Sequence, residues 1–470
     1  MTTQQLQQLD KQHIWHPFAP MKLWLADDPL VIVAAEGMHL IDSDGKRYLD
    51  GVSSLWCNVH GHRVAEIDAA VRAQLDKVAH TTMLGLASEP AILLADRLMK
   101  IVPPNLKKIF YSDAGATATE IAFKLAAQYW FNIGRPEKNE FVGFAEAYHG
   151  DTFGAMSVGR TELFHRAYFP MLFKTHFAPT PFTYRWPGNE LAESACGIAR
   201  ARESLPREAR SYSAQDVRDH CLQALDAILQ QHAHRVAAVC IEPLVQGAAG
   251  MIVQPEGFLA GVRDLCSRYD VLLIADEVAV GFGRTGTMFA CEQEGVQPDL
   301  MCVAKGITGG YLPLAATFAT QKIFDAFLGD PWEGKTFYHG HTYTGNPLAC
   351  AAALASLDLF EKTSLVAVVR ERADQLAQLL EPLKLLPHVG DIRQKGLMVG
   401  IELVADRATR QPFDSRRRVG AAVCAAIRRQ GVMIRPLGDV LVIMPPLAMP
   451  LNDLQQIVDA IHSEVSLLNG

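Results

Sequence analysis

Short continuous apolar runs alternate along this chain with stretches whose apolar positions recur every three or four residues. That is the pattern of buried strands followed by amphipathic helices. From about Ser53 to Leu359 the alternation predicts βαβ units and a mainly parallel sheet, an α/β fold. Candidate strands are Lys108–Ser112, Phe141–Phe144, Val236–Ile241, Val271–Ala275 and Leu300–Ala304. Their unbroken apolar character fits strands covered on both faces. Upstream, Val31-Ile32-Val33, Gly37 to Ile41, the turn Asp42-Ser43-Asp44-Gly45 and Arg47-Tyr48-Leu49 read as strand, turn and strand. The polar, proline-containing stretch from Thr175 to Glu190 reads as a surface loop. A second, Pro206 to Ser213, leads into a helix over Ala214–Gln231. Thr363 or Ser364 is placed to cap a helix with Leu365, Val369, Ala373, Leu376 and Leu380 along its length. Strand-like pieces at Asp391–Leu403 and Leu441–Met444 follow, so the last hundred or so residues form a smaller α+β lobe.

At 470 residues the chain exceeds one simple core and implies two or more lobes. Apolar residues at 49% and charged residues at 20% describe a globular protein. The net charge of −7 argues against nucleic acid as the main partner. The amino terminus lacks the basic and apolar regions of a signal peptide, and no apolar run approaches the roughly 20 residues of a membrane span. The nine cysteines are scattered and never spaced Cys-x-x-Cys. The expectation is a cytoplasmic protein with reduced thiols, away from membranes.

Two of the predicted strands end in chemistry. Val271-Leu272-Leu273-Ile274-Ala275 runs into Asp276, and Leu300-Met301-Cys302-Val303-Ala304 runs into Lys305. A carboxylate and an amine at the same carboxyl-end edge of a parallel sheet stand where α/β proteins bind ligands. Pyridoxal phosphate needs this pair: a lysine to form the Schiff base and an acid to keep the pyridinium nitrogen protonated. Either residue alone is more often a solvated side chain or a helix cap. The two together point to one cleft.

Other segments add to that pair. Tyr111-Ser112-Asp113-Ala114-Gly115-Ala116 leads from a strand into a helix over Thr117–Trp130, where Gly115 and free N–H groups suit an anion. After another strand, Tyr148 could lay its ring on a planar cofactor, with Gly150 making room. Arg435, following Val432-Met433-Ile434, could clamp a carboxylate. In each case the bland alternative, an ordinary turn, a core aromatic or a surface arginine, is the commoner fate of the residue taken singly. Gly281-Phe282-Gly283-Arg284-Thr285-Gly286 matches the dinucleotide fingerprint only formally, because it begins five residues beyond Asp276 and no acid ends the next strand. His60-Gly61-His62 and His339-Gly340-His341 lack a further ligand at zinc-type spacing, so no metal site is expected.

Taken in this order, these segments resemble the class III aminotransferases of the pyridoxal phosphate fold type I superfamily, over nearly the whole chain. The most specific stretch runs from Ile274-Ala275-Asp276-Glu277-Val278 through the glycine segment to Lys305-Gly306. Further segments are similar to the members that aminate 8-amino-7-oxononanoate in biotin biosynthesis: His13-Ile14-Trp15-His16-Pro17, Asp50 to Ser54 with Trp56 to Gly61, Tyr148 to Ser157, and Arg435-Pro436 with Met444-Pro445-Pro446. The resemblance implies a large cofactor-binding domain (residues 53–362) and a small domain built from both termini (1–52 and 363–470). It implies catalytic roles for Lys305, Asp276 and Tyr148. Gly115 and Ala116 would contact the cofactor phosphate, and His341 and Thr342, with Gly340 beside them, would serve the neighbouring subunit's site in a homodimer with shared active sites. Phe18, Leu55, Trp56, Tyr148, Arg284, Gly340 and Arg435 would meet substrate, Arg435 taking the keto acid's carboxylate. S-adenosylmethionine is the default amino donor. Phe18, Leu55 and His341 depart from the S-adenosylmethionine-using members, which have tyrosine, tryptophan and proline there, and are similar to relatives that take lysine. Ala116 stands where those members have serine.

Overall fold

The computed structural model describes residues 1–159, 161–186 and 212–468. Its centre is a seven-stranded sheet. The strands are β1 (Leu106–Ser112), β2 (Glu140–Phe144), β3 (Thr175–Ala178), β4 (Val236–Ile241), β5 (Leu272–Asp276), β6 (Leu300–Val303) and β7 (Ala315–Thr320). They lie in the order β1-β7-β6-β5-β4-β2-β3. β7 runs antiparallel to both its neighbours, and the pairs from β6 across to β3 are parallel. The expected mainly parallel sheet is therefore present, with one reversed strand inside it.

The five strands read from the sequence all appear, Val236–Ile241 with the expected bounds and the other four shifted by a residue or two at one or both ends. Two others escaped the pattern. β7 is Ala-Ala-Thr-Phe-Ala-Thr, whose small residues give little hydrophobic signal although five of its six positions are buried. The stretch expected to be a loop from Thr175 begins instead with edge strand β3, held by parallel pairing of Phe141 to Phe144 with Thr175 to Ala178. Three of its four residues are only half-buried, so backbone pairing, not apolar periodicity, defines it. Residues 187–190 of that stretch, and 206–211 of the next, lie outside the described residues. The helix Ala214–His232 follows where expected and opens on a Ser213–Asp216 capping box. Ser364 precedes the helix Leu365–Leu380 but makes no side-chain cap bond.

The helix Gly115–Asn132 begins two residues before the expected Thr117. It packs Ala118, Ile121, Ala122 and Leu125 with Ala238, Ile274, Cys302 and Ala315 of the sheet in one apolar cluster. The other large cluster joins Val239, Leu273, Ala275 and Met301 to the helix Phe258–Arg268 and to the carboxyl-terminal lobe. Burial on both faces fixes the sheet as a rigid platform.

Strands Ile32–Glu36, His39–Asp42 and Arg47–Asp50 form an antiparallel meander, and Val432–Met433 adds to it in parallel beside Arg47–Asp50. A four-stranded sheet holds the hairpin Val389–Lys395 and Met398–Leu403 with Val440–Ile443 and Arg435–Leu437. Among the described residues no helix is long and apolar enough to cross a membrane.

Candidate active site

Asp276 ends β5, level with Cys302 of β6, and Lys305 opens the 3-10 turn two residues beyond the end of β6. The parallel register thus delivers both side chains to one sheet edge. Asp276 is buried, and each of its carboxylate oxygens is occupied. His149 donates from Nδ1 to Oδ2 at 2.7 Å, and the Val278 backbone N–H donates to Oδ1 at 3.0 Å. Burial works against charge on His149, yet Cys240 at 3.8 Å and the Asp276 carboxylate hold its pKa well above that of an ordinary imidazole. The His149 carbonyl in turn accepts the Thr119 hydroxyl at 3.0 Å.

Lys305 points its Nζ at the Trp56 ring, 5.6 Å from the centroid. Burial pulls its amine below the usual lysine range, and the Asp276 and Glu242 carboxylates oppose that pull. Trp56 is delivered by a turn in which Ser53, Ser54 and Trp56 all adopt positive φ, at 45°, 62° and 66°. Such backbone costs energy in non-glycine residues and persists only where its surroundings dictate it. Here Asp50 accepts both the Ser54 N–H and its hydroxyl, His62 donates to Asp50 at 3.0 Å, and Ser53 donates to the Met444 carbonyl at 2.7 Å. The indole Nε1 of Trp56 is buried without a partner in the described residues.

Glu242, one residue past β4, also enters the site. It accepts the backbone N–H groups of Tyr148 at 3.1 Å and Gly247 at 2.9 Å. Burial, with Asp276 nearby, lifts its carboxyl to about 7. It follows an apolar strand as Asp276 does, so the signal that marks Asp276 marks Glu242 as well. His149 is overshadowed in the sequence by its neighbour Tyr148. The Tyr148 hydroxyl donates to Asp151 at 2.8 Å, and burial followed by Asp151 raises its pKa. Phe164 stands edge-on to Tyr148 at 6.2 Å and to Phe18 at 5.3 Å. Phe18 and Leu55 remain exposed.

The amino terminus of the helix Gly115–Asn132 opens without a side-chain cap. Its N-cap Ala114 has no acceptor side chain, so the first-turn N–H groups of Gly115 and Ala116 have no cap from it. A Cβ on Gly115 would stand 2.6 Å from the Val278 side chain, and one on Gly150 would stand 2.4 Å from Ala116 Cβ. Val278 follows Asp276 by two residues and Gly150 follows His149, so this cradle adjoins the buried acid.

Arg284 is buried. It donates to the Pro445 carbonyl and to Ser53 Oγ, and forms no ion pair with a carboxylate within the described residues. Burial lowers its pKa to about 9. Arg435 is exposed at the start of its short strand, with Arg428 and Cys424 as its electrostatic neighbours. Gly340 and Thr342 lie in an exposed loop. His341 in that loop approaches Asp113 at 3.5 Å, and His339 pairs with Lys124 at 2.9 Å.

Residues 25–465 match the Aminotransferase class-III family, and the chain belongs to it. It is 52% identical over 468 residues to the adenosylmethionine-8-amino-7-oxononanoate aminotransferase of Geobacter sulfurreducens, covering 100% of this chain and 99% of that one. The crystal structure of the same-named protein from Methanocaldococcus jannaschii superposes with a TM-score of 0.89 at 41% identity, covering 98% of each chain. The omega transaminase of Pseudomonas jessenii, solved in complex with PMP, superposes with a TM-score of 0.90 at 28% identity, covering 98% of this chain and 97% of that one.

Proposed function

We propose that this enzyme transfers an amino group from S-adenosylmethionine to 8-amino-7-oxononanoate, giving 7,8-diaminononanoate in biotin biosynthesis, with pyridoxal 5'-phosphate as cofactor. The observation that carries the reading is the buried His149–Asp276 pair on the same sheet edge as Lys305, beneath Trp56. The relatives' shared name supports the two substrates.

The residues present fit the cofactor. The uncapped helix start at Gly115 and Ala116 suits its phosphate, Asp276 suits its protonated ring nitrogen, and Lys305 supplies the amine to which it attaches. When bound, the group supplies an electron sink for charge developing at the substrate carbon. The chain's own part is to hold and move protons. His149 holds the Asp276 carboxylate in place. Lys305, with its amine shifted toward the neutral form by burial, would serve as the base that carries a proton. Tyr148 walls the cleft and touches substrate. Arg284, a buried cation without a carboxylate partner in the described residues, and Arg435 serve the carboxylates of two dissimilar substrates.

Residues 1–52 and 363–470 act as one small domain, a division supported by the pairing of Val432–Met433 with Arg47–Asp50. Two copies share their active sites, with Gly340, His341 and Thr342 reaching the neighbour's cofactor phosphate. Large apolar side chains left open, among them Leu84 at 90% and Tyr338 at 78% exposure, support a second copy as their cover. The eight described cysteines are all free, which supports a cytoplasmic location.

The donor is tested by offering S-adenosylmethionine and lysine separately and watching the cofactor absorbance band. Bleaching by S-adenosylmethionine is expected; bleaching by lysine alone means that Phe18, Leu55 and His341 mark the other donor class. The likeness to an omega transaminase favours a second reading, a class III enzyme of other amines. Turnover of 2-oxoglutarate but not of 8-amino-7-oxononanoate would establish that alternative.

A further inference from the structure

The segment after the helix Phe153–Val158 carries a buried imidazole that the mechanism above does not use. His165 accepts the Thr161 backbone N–H on Nδ1 at 3.2 Å. That bond requires Nδ1 to be unprotonated, so in the neutral ring the proton sits on Nε2. Nε2 lies 3.7 Å from Oδ1 of Asp151 and has no closer acceptor in the described residues. The other carboxylate oxygen, Oδ2, accepts the Tyr148 hydroxyl at 2.8 Å. The His165 and Tyr148 rings lie 22° from parallel with centroids 6.2 Å apart. Asp151 itself is half-exposed, with 51% of its side-chain surface open. A carboxylate so exposed is free to turn into water unless something on its inner side holds it.

We infer that His165 is a positioning residue: its Nε2–H faces and holds the Asp151 carboxylate, which accepts the hydrogen bond of the Tyr148 hydroxyl and leaves the phenolic oxygen facing the cleft as an acceptor. The chain of contacts runs in one direction, from the Thr161 backbone through the imidazole and carboxylate to the phenol. Burial disfavours charge on Asp151, and its contacts with His165 and Tyr148 outweigh that, keeping the carboxyl below its usual range. With its proton engaged on Asp151, Tyr148 has lone pairs and no hydrogen to offer a substrate. Without His165 the carboxylate loses its inner contact and the hydroxyl rotates freely.

The inference rests on the reading that Tyr148 touches substrate. It is tested by a double-mutant cycle in the holoenzyme with His165→Phe, Tyr148→Phe and the two combined. The cycle is followed through kcat/KM of the donor half-reaction, so it does not depend on the identity of the keto acid. Equilibrium binding of 8-amino-7-oxononanoate to the cofactor-loaded Lys305→Ala protein gives a second readout free of turnover. His165→Phe is expected to lower kcat/KM roughly tenfold when Tyr148 is present and less than about twofold in the Tyr148→Phe background, because residues in one network are coupled. His165→Gln, which keeps a donor near the Nε2 position, should restore most of the loss. Equal losses in both backgrounds, or no rescue by glutamine, would overturn the inference. If His165→Phe does not fold, His165→Asn keeps an acceptor for Thr161, removes the outer donor and runs the same cycle. Undiminished turnover in Lys305→Ala would instead sink the reading of the site itself, whatever the cycle gives.

Discussion

His149 donates from Nδ1 to Oδ2 of Asp276 at 2.7 Å, and neither side chain has appreciable contact with solvent. Burying a carboxylate is costly unless it is paired, and this imidazole is the pairing group. His149→Phe should therefore retain the fold but lower kcat at least tenfold, since a lost charge-assisted bond is worth about 1.5–3 kcal/mol. Asp276→Asn should retain some cofactor and lose most activity. Near-normal turnover in either variant, measured with cofactor saturating, would make the pair structural only.

Glu242 offers a pH test. Burial raises its carboxyl from 4.5 to about 7. A carboxyl raised on folding adds stability in its protonated form: this is fully present below pH 4.5 and is lost as pH rises through about 7. Urea midpoints of the wild type should fall between pH 5 and pH 8.5, with the unfolding free energy dropping on the order of 1.4 kcal/mol for each pKa unit of the rise. Glu242→Gln loses one acceptor and starts less stable, but its midpoint should fall less over that range. Parallel pH dependences would contradict the raised carboxyl.

Arg435→Ala should raise the KM for 8-amino-7-oxononanoate far more than that for the amino donor. The contact proposed to be lost is a charge-assisted pair with the keto acid's carboxylate, worth about 1.5–3 kcal/mol. Equal changes in both KM values would indicate general damage to the small domain.

The cleft was legible where apolar strand runs end in single charged residues, at Asp276 and Lys305. It was not legible where a partner arrives from a distant segment. His149 and Asp276 are 127 positions apart, and nothing in either segment names the other. The strained turn that aims Trp56 at Lys305 was equally hidden, because Ser53 and Ser54 adopt positive φ without a glycine to mark it. In the fold, β7 was missed because alanine and threonine carry weak apolar contrast, and β3 because edge pairing requires no buried face. The helix beginning at Ala214 was legible because the polar stretch ending at Ser213 gives way there to helical periodicity.

The exposed apolar side chains predict the assembly. Light scattering after size exclusion should give a mass near twice the 51.6 kDa of one chain. Leu84→Glu combined with Tyr338→Glu should weaken the dimer and release cofactor together, since the neighbour's Thr342 would leave the phosphate. A variant that is monomeric yet fully loaded and active would contradict shared sites.

The account stands or falls on Lys305 as the residue that carries the cofactor. Borohydride reduction of the yellow holoenzyme, followed by peptide mapping, should find the pyridoxyl group on Lys305, and Lys305→Ala should abolish both labelling and turnover. A pyridoxyl group on Lys124 or Lys335 would contradict it.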